Sequence, residues 1–145
     1  MAFFRIVLKT LFCLLILLSG LACTGSEEDA DEEELTSTLS SIQTNIFTPS
    51  CAKSGCHSSS SASGGLDLSL GSSFKNLVDV ASTEATNLQR VEPGNASNSY
   101  LINKLEGTQS SAGGSGVQMP KGSSTLTSAQ IQSIKDWINA GAQNN

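Results

Sequence analysis

Aromatic side chains and histidine are scarce in this chain. Past residue 34 the aromatics are Phe47, Phe74, Tyr100 and Trp137, and His57 is the only histidine. A domain of about 110 residues is ordinary in size, but so few large side chains leave little to pack. Residues 58–65 and 107–116, largely glycine and serine, reduce the core further. Such a composition invites a prosthetic group to fill the interior, or the disulfides with which small exported domains compensate. A basic excess is lacking too. The chain carries a formal net charge of −5. Residues 35–145, however, balance six basic side chains (Lys53, Lys75, Arg90, Lys104, Lys121, Lys135) against six acidic ones (Asp67, Asp79, Glu84, Glu92, Glu106, Asp136). No basic stripe is available for nucleic acid, and neither a P-loop nor a nucleophile elbow occurs.

The N-terminus assigns a compartment. Arg5 and Lys9 precede an apolar run at 11–18, followed by Ser19, Gly20, Leu21, Ala22 and Cys23, the layout of an export signal over residues 1–22. The run is shorter than the ~20 apolar residues that cross a bilayer, so it reads as a cleaved signal and not as a permanent span. Ala22-Cys23 resembles the lipobox of bacterial lipoproteins, although Gly20 stands where that motif usually has leucine. Cys13 leaves with the signal and Cys51 and Cys56 are close enough to share one task, so Cys23 would be an odd thiol in an oxidising compartment. Lipidation gives it a use, and a multiply acylated cysteine exceeds the two-chain requirement for stable anchoring. The alternative is a free or intermolecularly paired Cys23.

Residues 24–34 hold Glu27, Glu28, Asp29, Asp31, Glu32, Glu33 and Glu34 with almost nothing apolar. Like charges at this density resist burial, so the expectation for 23–34 is a lipidated cysteine followed by a disordered acidic tether. At ~3.3 Å per residue the tether could hold a domain up to roughly 35 Å from a membrane.

Periodicity places helices in the remainder and no alternating strand. Leu35, Leu39, Ile42 and Ile46 lie on one face of a helix that should end before Pro49 and lead directly into Cys51. Phe74, Leu77 and Val78 predict a short second helix, and the spacing of Tyr100, Leu101, Lys104 and Leu105 a third over 97–105. The last has the clearest signals. Thr127 and Gln130 form a capping box, Ile131, Ile134, Trp137 and Ile138 an apolar stripe, and Gly141 a terminator.

Between the first two helices stands Cys51-Ala52-Lys53-Ser54-Gly55-Cys56-His57. Covalent haem attachment needs two thiols that reach the vinyl groups and a histidine held close enough to fall on the iron, which C-x-x-C-H provides. Four intervening residues here make a longer bulge, with Gly55 relieving the turn, and a Cys51–Cys56 disulfide is the competing reading. Zinc fits poorly: a structural site wants four Cys or His ligands, and two cysteines with one histidine fall short. A c-type centre needs one further axial ligand, commonly a thioether. Met1 leaves with the signal, so Met119, in Gln118-Met119-Pro120, is the candidate. Pro120 biases Met119 toward an extended conformation in a loop otherwise rich in glycine and serine.

From about residue 46 to 142 the chain resembles the small c-type cytochromes and cytochrome-c-like domains of environmental bacteria. The resemblance rests on Ile46-Phe47-Thr48-Pro49-Ser50-Cys51 with Gly55-Cys56-His57, Gly65-Leu66-Asp67-Leu68, Arg90-Val91-Glu92-Pro93-Gly94, residues 99–105, Met119-Pro120, and residues 137–142. It implies an all-α cytochrome c-like domain over 35–145 wrapped around one covalent haem c. Cys51 and Cys56 would be the thioether anchors, and His57 and Met119 the axial ligands of the iron. Arg90 is a candidate partner for a haem propionate, with an ordinary surface arginine as the alternative, and Trp137 and Tyr100 are expected either to pack around the macrocycle or to serve as helix-face core.

The expected function is one-electron transfer in the cell envelope, with redox proteins as partners and a lipid anchor in a periplasm-facing or outer membrane. With both axial positions filled no open site is left for a substrate, so the chain is read as a carrier and not an enzyme. A haem peroxidase or sensor would require Met119 to leave the iron. The alternative from a different class is a haem-free, disulfide-stapled surface lipoprotein acting as a binding module.

Overall fold

The computed structural model describes residues 35–145. The expected signal, Cys23 and the acidic tether lie outside the described residues. Within them the chain is helical and contains no strand. Short extended stretches touch through three isolated bridges, Val78 with Val91, Ala81 with Gln89, and Gln89 with Ser99.

The first helix, α1 (Leu39–Ile42), starts where Thr38, in an extended conformation, accepts the Ser41 N–H on its side chain. Two further amides at this helix end are satisfied from the far end of the chain. Leu39 N–H donates to Asn145 Oδ1 (2.9 Å) and Ser40 N–H to the Asn145 backbone oxygen (2.8 Å). These bonds serve orphan donors that any helix start leaves over.

The expectation that this helix stops before Pro49 is overturned. Past α1 the coil widens into a π-helical segment, Gln43–Cys51, which carries Pro49 inside it and closes with Ala52 N–H bonded to Phe47 O (2.8 Å). In an α-helix the proline ring collides with the carbonyl four residues back. The i→i−5 spacing of a π turn shifts that carbonyl, so the helix runs on to Cys51. Of the expected face Leu39, Ile42 and Ile46 are at most 5 % exposed, Leu35 lies before the helix and is only partly buried, and Phe47 joins the buried side.

A 3-10 turn (Ser63–Gly65) precedes α2 (Ser73–Leu77), and a second one (Ala96–Asn98) precedes α3 (Tyr100–Glu106). The third helix thus starts later than expected, because Ser99 is extended and residues before it are wound more tightly. The final helix, α4 (Ser128–Asn139), begins on the reciprocal Thr127–Gln130 capping box, and Gly141 follows it at φ +102°, a conformation that favours glycine. Ile134, Trp137 and Ile138 on α4 are fully buried against α1, α3 and the turn Ala96–Asn98. This helical packing forms one wall of the core and leaves the motif at Cys51–His57 facing a cavity on another side. Among the described residues no helix is long and apolar enough to cross a membrane.

Candidate functional site

The residues singled out between 51 and 119 come together. Cys51, Cys56, His57, Arg90 and Met119 all line one cavity of about 350 Å³, within the roughly 300–1,000 Å³ usual for small-molecule and cofactor sites. Its other walls are largely apolar, supplied by Phe47 from the π segment, Leu66 and Leu68 from the following loop, Leu77 from α2, and Leu101 and Leu105 from α3. Tyr100 is on the wall as expected. Trp137 is not: its ring is buried in the helical core, with Nε1 donating to Gln143 O (2.8 Å). The apolar stripe of α4 therefore serves packing, which is the second of the two roles that the sequence leaves open for Trp137.

Local backbone bonds gather the motif. Cys51 ends the π segment and is 8 % exposed, while Lys53, Ser54 and Gly55 bulge outward. His57 N–H reaches back over the bulge to Cys51 O (3.1 Å), and Cys56 N–H bonds Lys53 O (2.9 Å). Gly55 sits at φ +78°, which only glycine adopts freely, and donates its N–H to Ser61 Oγ (2.8 Å). The two cysteines are free thiols, not joined to each other. Burial, with a smaller contribution from the neighbouring Cys56, pushes the Cys51 thiol up to about 11.

The histidine is held by its ring as well as its backbone. Its Nδ1 lies 3.2 Å from Leu66 O, and its own carbonyl accepts the Leu68 N–H (2.8 Å). A carbonyl can only accept, so Nδ1 carries a proton, and in the neutral ring the lone pair is then on Nε2. That is the arrangement by which proteins orient a metal-binding imidazole.

The loop that does this is itself fixed by a residue the sequence reading missed. Buried Gln43 donates from Nε2 to Leu68 O (3.0 Å) and to Thr48 Oγ1 (3.0 Å), and accepts from Ser73 Oγ (2.6 Å). The available signal was its position, four residues after Leu39 and three before Ile46, on the buried face of the first helix.

Arg90 is carried on the short extended stretch around the bridges, with its N–H bonded to Val80 O (2.7 Å) and its carbonyl to Leu101 N–H (3.0 Å). The guanidinium donates to Asn76 O (2.9 Å) and Gly64 O (3.1 Å). Its proton is held less firmly than usual because burial disfavours the charge. Both ion pairs among the described residues, Lys104–Glu84 and Lys135–Glu106, leave Arg90 out. A half-buried cation bonded only to carbonyls, on a cavity wall, suits an anionic group of a ligand.

Met119 is half-buried and packs on the core from the Gly/Ser-rich loop after α3. Its N–H donates to Lys104 O (2.8 Å), the adjacent Gln118 Nε2 donates to Leu105 O (2.7 Å), and the Met119–Pro120 peptide bond is cis. Beside it is a second cluster that was not anticipated. Glu84 Oε2 accepts from Tyr100 Oη (2.6 Å) and Lys104 Nζ (3.2 Å), and all three line the cavity. The tyrosine bond and then the lysine hold the Glu84 carboxyl below its ordinary range, whereas burial and Glu84 push Tyr100 up to about 12. Among the described residues no three His, Cys, Asp or Glu side chains gather as a structural zinc site would require. Comparison of the chain with protein-family models, with curated proteins and with solved structures gives no match in any of the three.

Proposed function

We propose that residues 35–145 form a monohaem c-type cytochrome domain that carries single electrons in the cell envelope. The observation that carries this reading is the convergence of Cys51, Cys56, His57 and Met119 on one cavity, with the His57 ring anchored through Nδ1 to Leu66 O. The residues present fit the group on three counts. Two free thiols precede the histidine, the bond from Nδ1 to a carbonyl leaves the other ring nitrogen for a ligand, and the Arg90 cation, which pairs with no carboxylate among the described residues, lines the same apolar space.

In this reading Cys51 and Cys56 would hold the haem covalently, His57 and Met119 would ligate its iron, and Arg90 would pair with a propionate. The bound haem supplies reversible one-electron chemistry at its iron. The chain's part is positional and electrostatic. Leu66 and Gln43 orient His57, the apolar walls exclude water and raise the cost of extra charge on the iron, and Arg90 offsets a carboxylate. Export and anchoring through lipidated Cys23 belong to the same proposal, with the electron partners being other redox proteins of the envelope.

The deciding experiment is a pyridine haemochrome spectrum and intact mass of protein made with c-type maturation machinery. The expected result is one covalently bound haem, lost from the double variant Cys51→Ala/Cys56→Ala. A product without haem and with Cys51 and Cys56 oxidised to a disulfide would establish the haem-free binding module instead.

A further inference from the structure

We propose that Glu84 is the positioning residue that keeps the Met119 loop closed on the cavity, and so determines whether the sixth iron position admits an outside ligand. The inference rests on the haem reading above. Between Gly107 and Gln118 the chain buries only Gln109, and Val117 is 51 % exposed, so apolar burial of this loop is confined to its end, where Met119 packs on the core and Pro120 is buried.

Polar contacts to α3 secure it. Lys104 O accepts the Met119 N–H, Leu105 O accepts the Gln118 side chain, and Lys104 Nζ donates to Ser115 O (3.0 Å). Lys104 and Tyr100 stand one turn apart on α3 and share a single oxygen of Glu84, which comes from a different part of the chain. The same Tyr100 is pressed against the loop from below: a Cβ added to Gly114 would lie 2.1 Å from its Oη. One carboxylate thus fixes two of the α3 side chains that touch the loop, Lys104 and Tyr100, through hydrogen bonds to charged or strongly polarised partners, while Asn103 touches it separately at Thr108 Oγ1 (3.2 Å) near the loop's start.

Removing that charge frees Lys104 Nζ to leave Ser115 and lets Tyr100 swing, while the helix and the cavity floor stay intact. Losing a charge-assisted bond shifts a local open–closed equilibrium by roughly tenfold to a hundredfold.

The experiment uses the haem-loaded protein and imidazole as the probe. Stopped-flow association is measured for the native protein, Glu84→Gln, Tyr100→Phe, Gly114→Ala and Met119→Ala, with the sulfur-to-iron charge-transfer band and the reduction potential recorded for each. Expected are imidazole association about tenfold or more faster in Glu84→Gln, a smaller increase in Tyr100→Phe, an increase in Gly114→Ala, and a weakened band in each. Met119→Ala marks the fully open limit. The Glu84 side chain is 40 % exposed, so its replacement leaves the core unaltered. If Met119→Ala opens the iron while Glu84→Gln and Tyr100→Phe both bind imidazole at the native rate with an unchanged band, the clamp is overturned and the haem reading stands. If Met119→Ala itself binds no faster than native, the distal assignment fails, and the clamp with it.

Discussion

Single residues decide the chemistry of this domain, and two of them can be tested separately from one another. Met119 is the candidate thioether ligand, and thioether ligation favours the reduced iron. Met119→Ala is therefore expected to leave haem attached through Cys51 and Cys56 while lowering the reduction potential and removing the sulfur-to-iron band; survival of the band would assign the distal ligand elsewhere. Gln43 acts one step further out. Replacing it by leucine conserves bulk but leaves Ser73 Oγ and Leu68 O, both buried, without their partner. The expected loss is about 2–4 kcal/mol, on the order of a 10 °C fall in Tm. Adding Ser73→Ala should recover part of it, because a donor removed costs less than a donor stranded. A Gln43→Leu protein that melts like the native one would mean that the Gln43 network does not hold the histidine loop.

Elements bring these residues together, and here the sequence was legible in some places and not in others. The α4 boundaries could be read because their causes are local: Thr127 and Gln130 cap each other, and Gly141 takes a left-handed turn. Thr127→Ala removes that cap and should cost about 1 kcal/mol, visible as a Tm lowered by several degrees with an unchanged haem spectrum. No change in Tm would show that α4 is held by its packing alone. The passage through Pro49 was not legible, since local rules end an α-helix there. Only the tertiary demand to bury Ile46 and Phe47 while delivering Cys51 to the cavity favours a π turn. Cys51, Cys56, His57 and Met119, which line one cavity, could be singled out by residue type and spacing. Glu84 and Gln43 were not, because hydrogen bonds between segments far apart in sequence leave no periodic trace. The same limit explains Trp137, whose helix face could be read while the choice between cavity wall and helical core could not.

At the scale of the whole molecule, charge separates two jobs. Residues 35–145 are balanced, six basic against six acidic, whereas 24–34 carry seven acidic side chains and no basic one. A neutral domain preceded by an acidic segment has no electrostatic attraction to an anionic lipid surface; the segment is repelled from one. In the proposed reading, membrane association of the mature protein would come from an acylated Cys23, whose chains would insert by apolar transfer at about 0.8 kcal/mol per buried CH2. The two possibilities respond to salt in opposite ways. Charge-mediated binding weakens as the Debye length shrinks, to ~3 Å at 1 M, and acyl insertion does not. The native protein should therefore stay in the membrane fraction through a high-salt wash and leave it only in detergent. Cys23→Ser should appear in the soluble envelope fraction with the same absorption spectrum and the same thermal midpoint, because the residues lining the cavity of the proposed haem site lie between 47 and 123. Release of the native protein by salt, or retention of Cys23→Ser on the membrane, would remove the lipid anchor from the proposal and leave the haem site untouched.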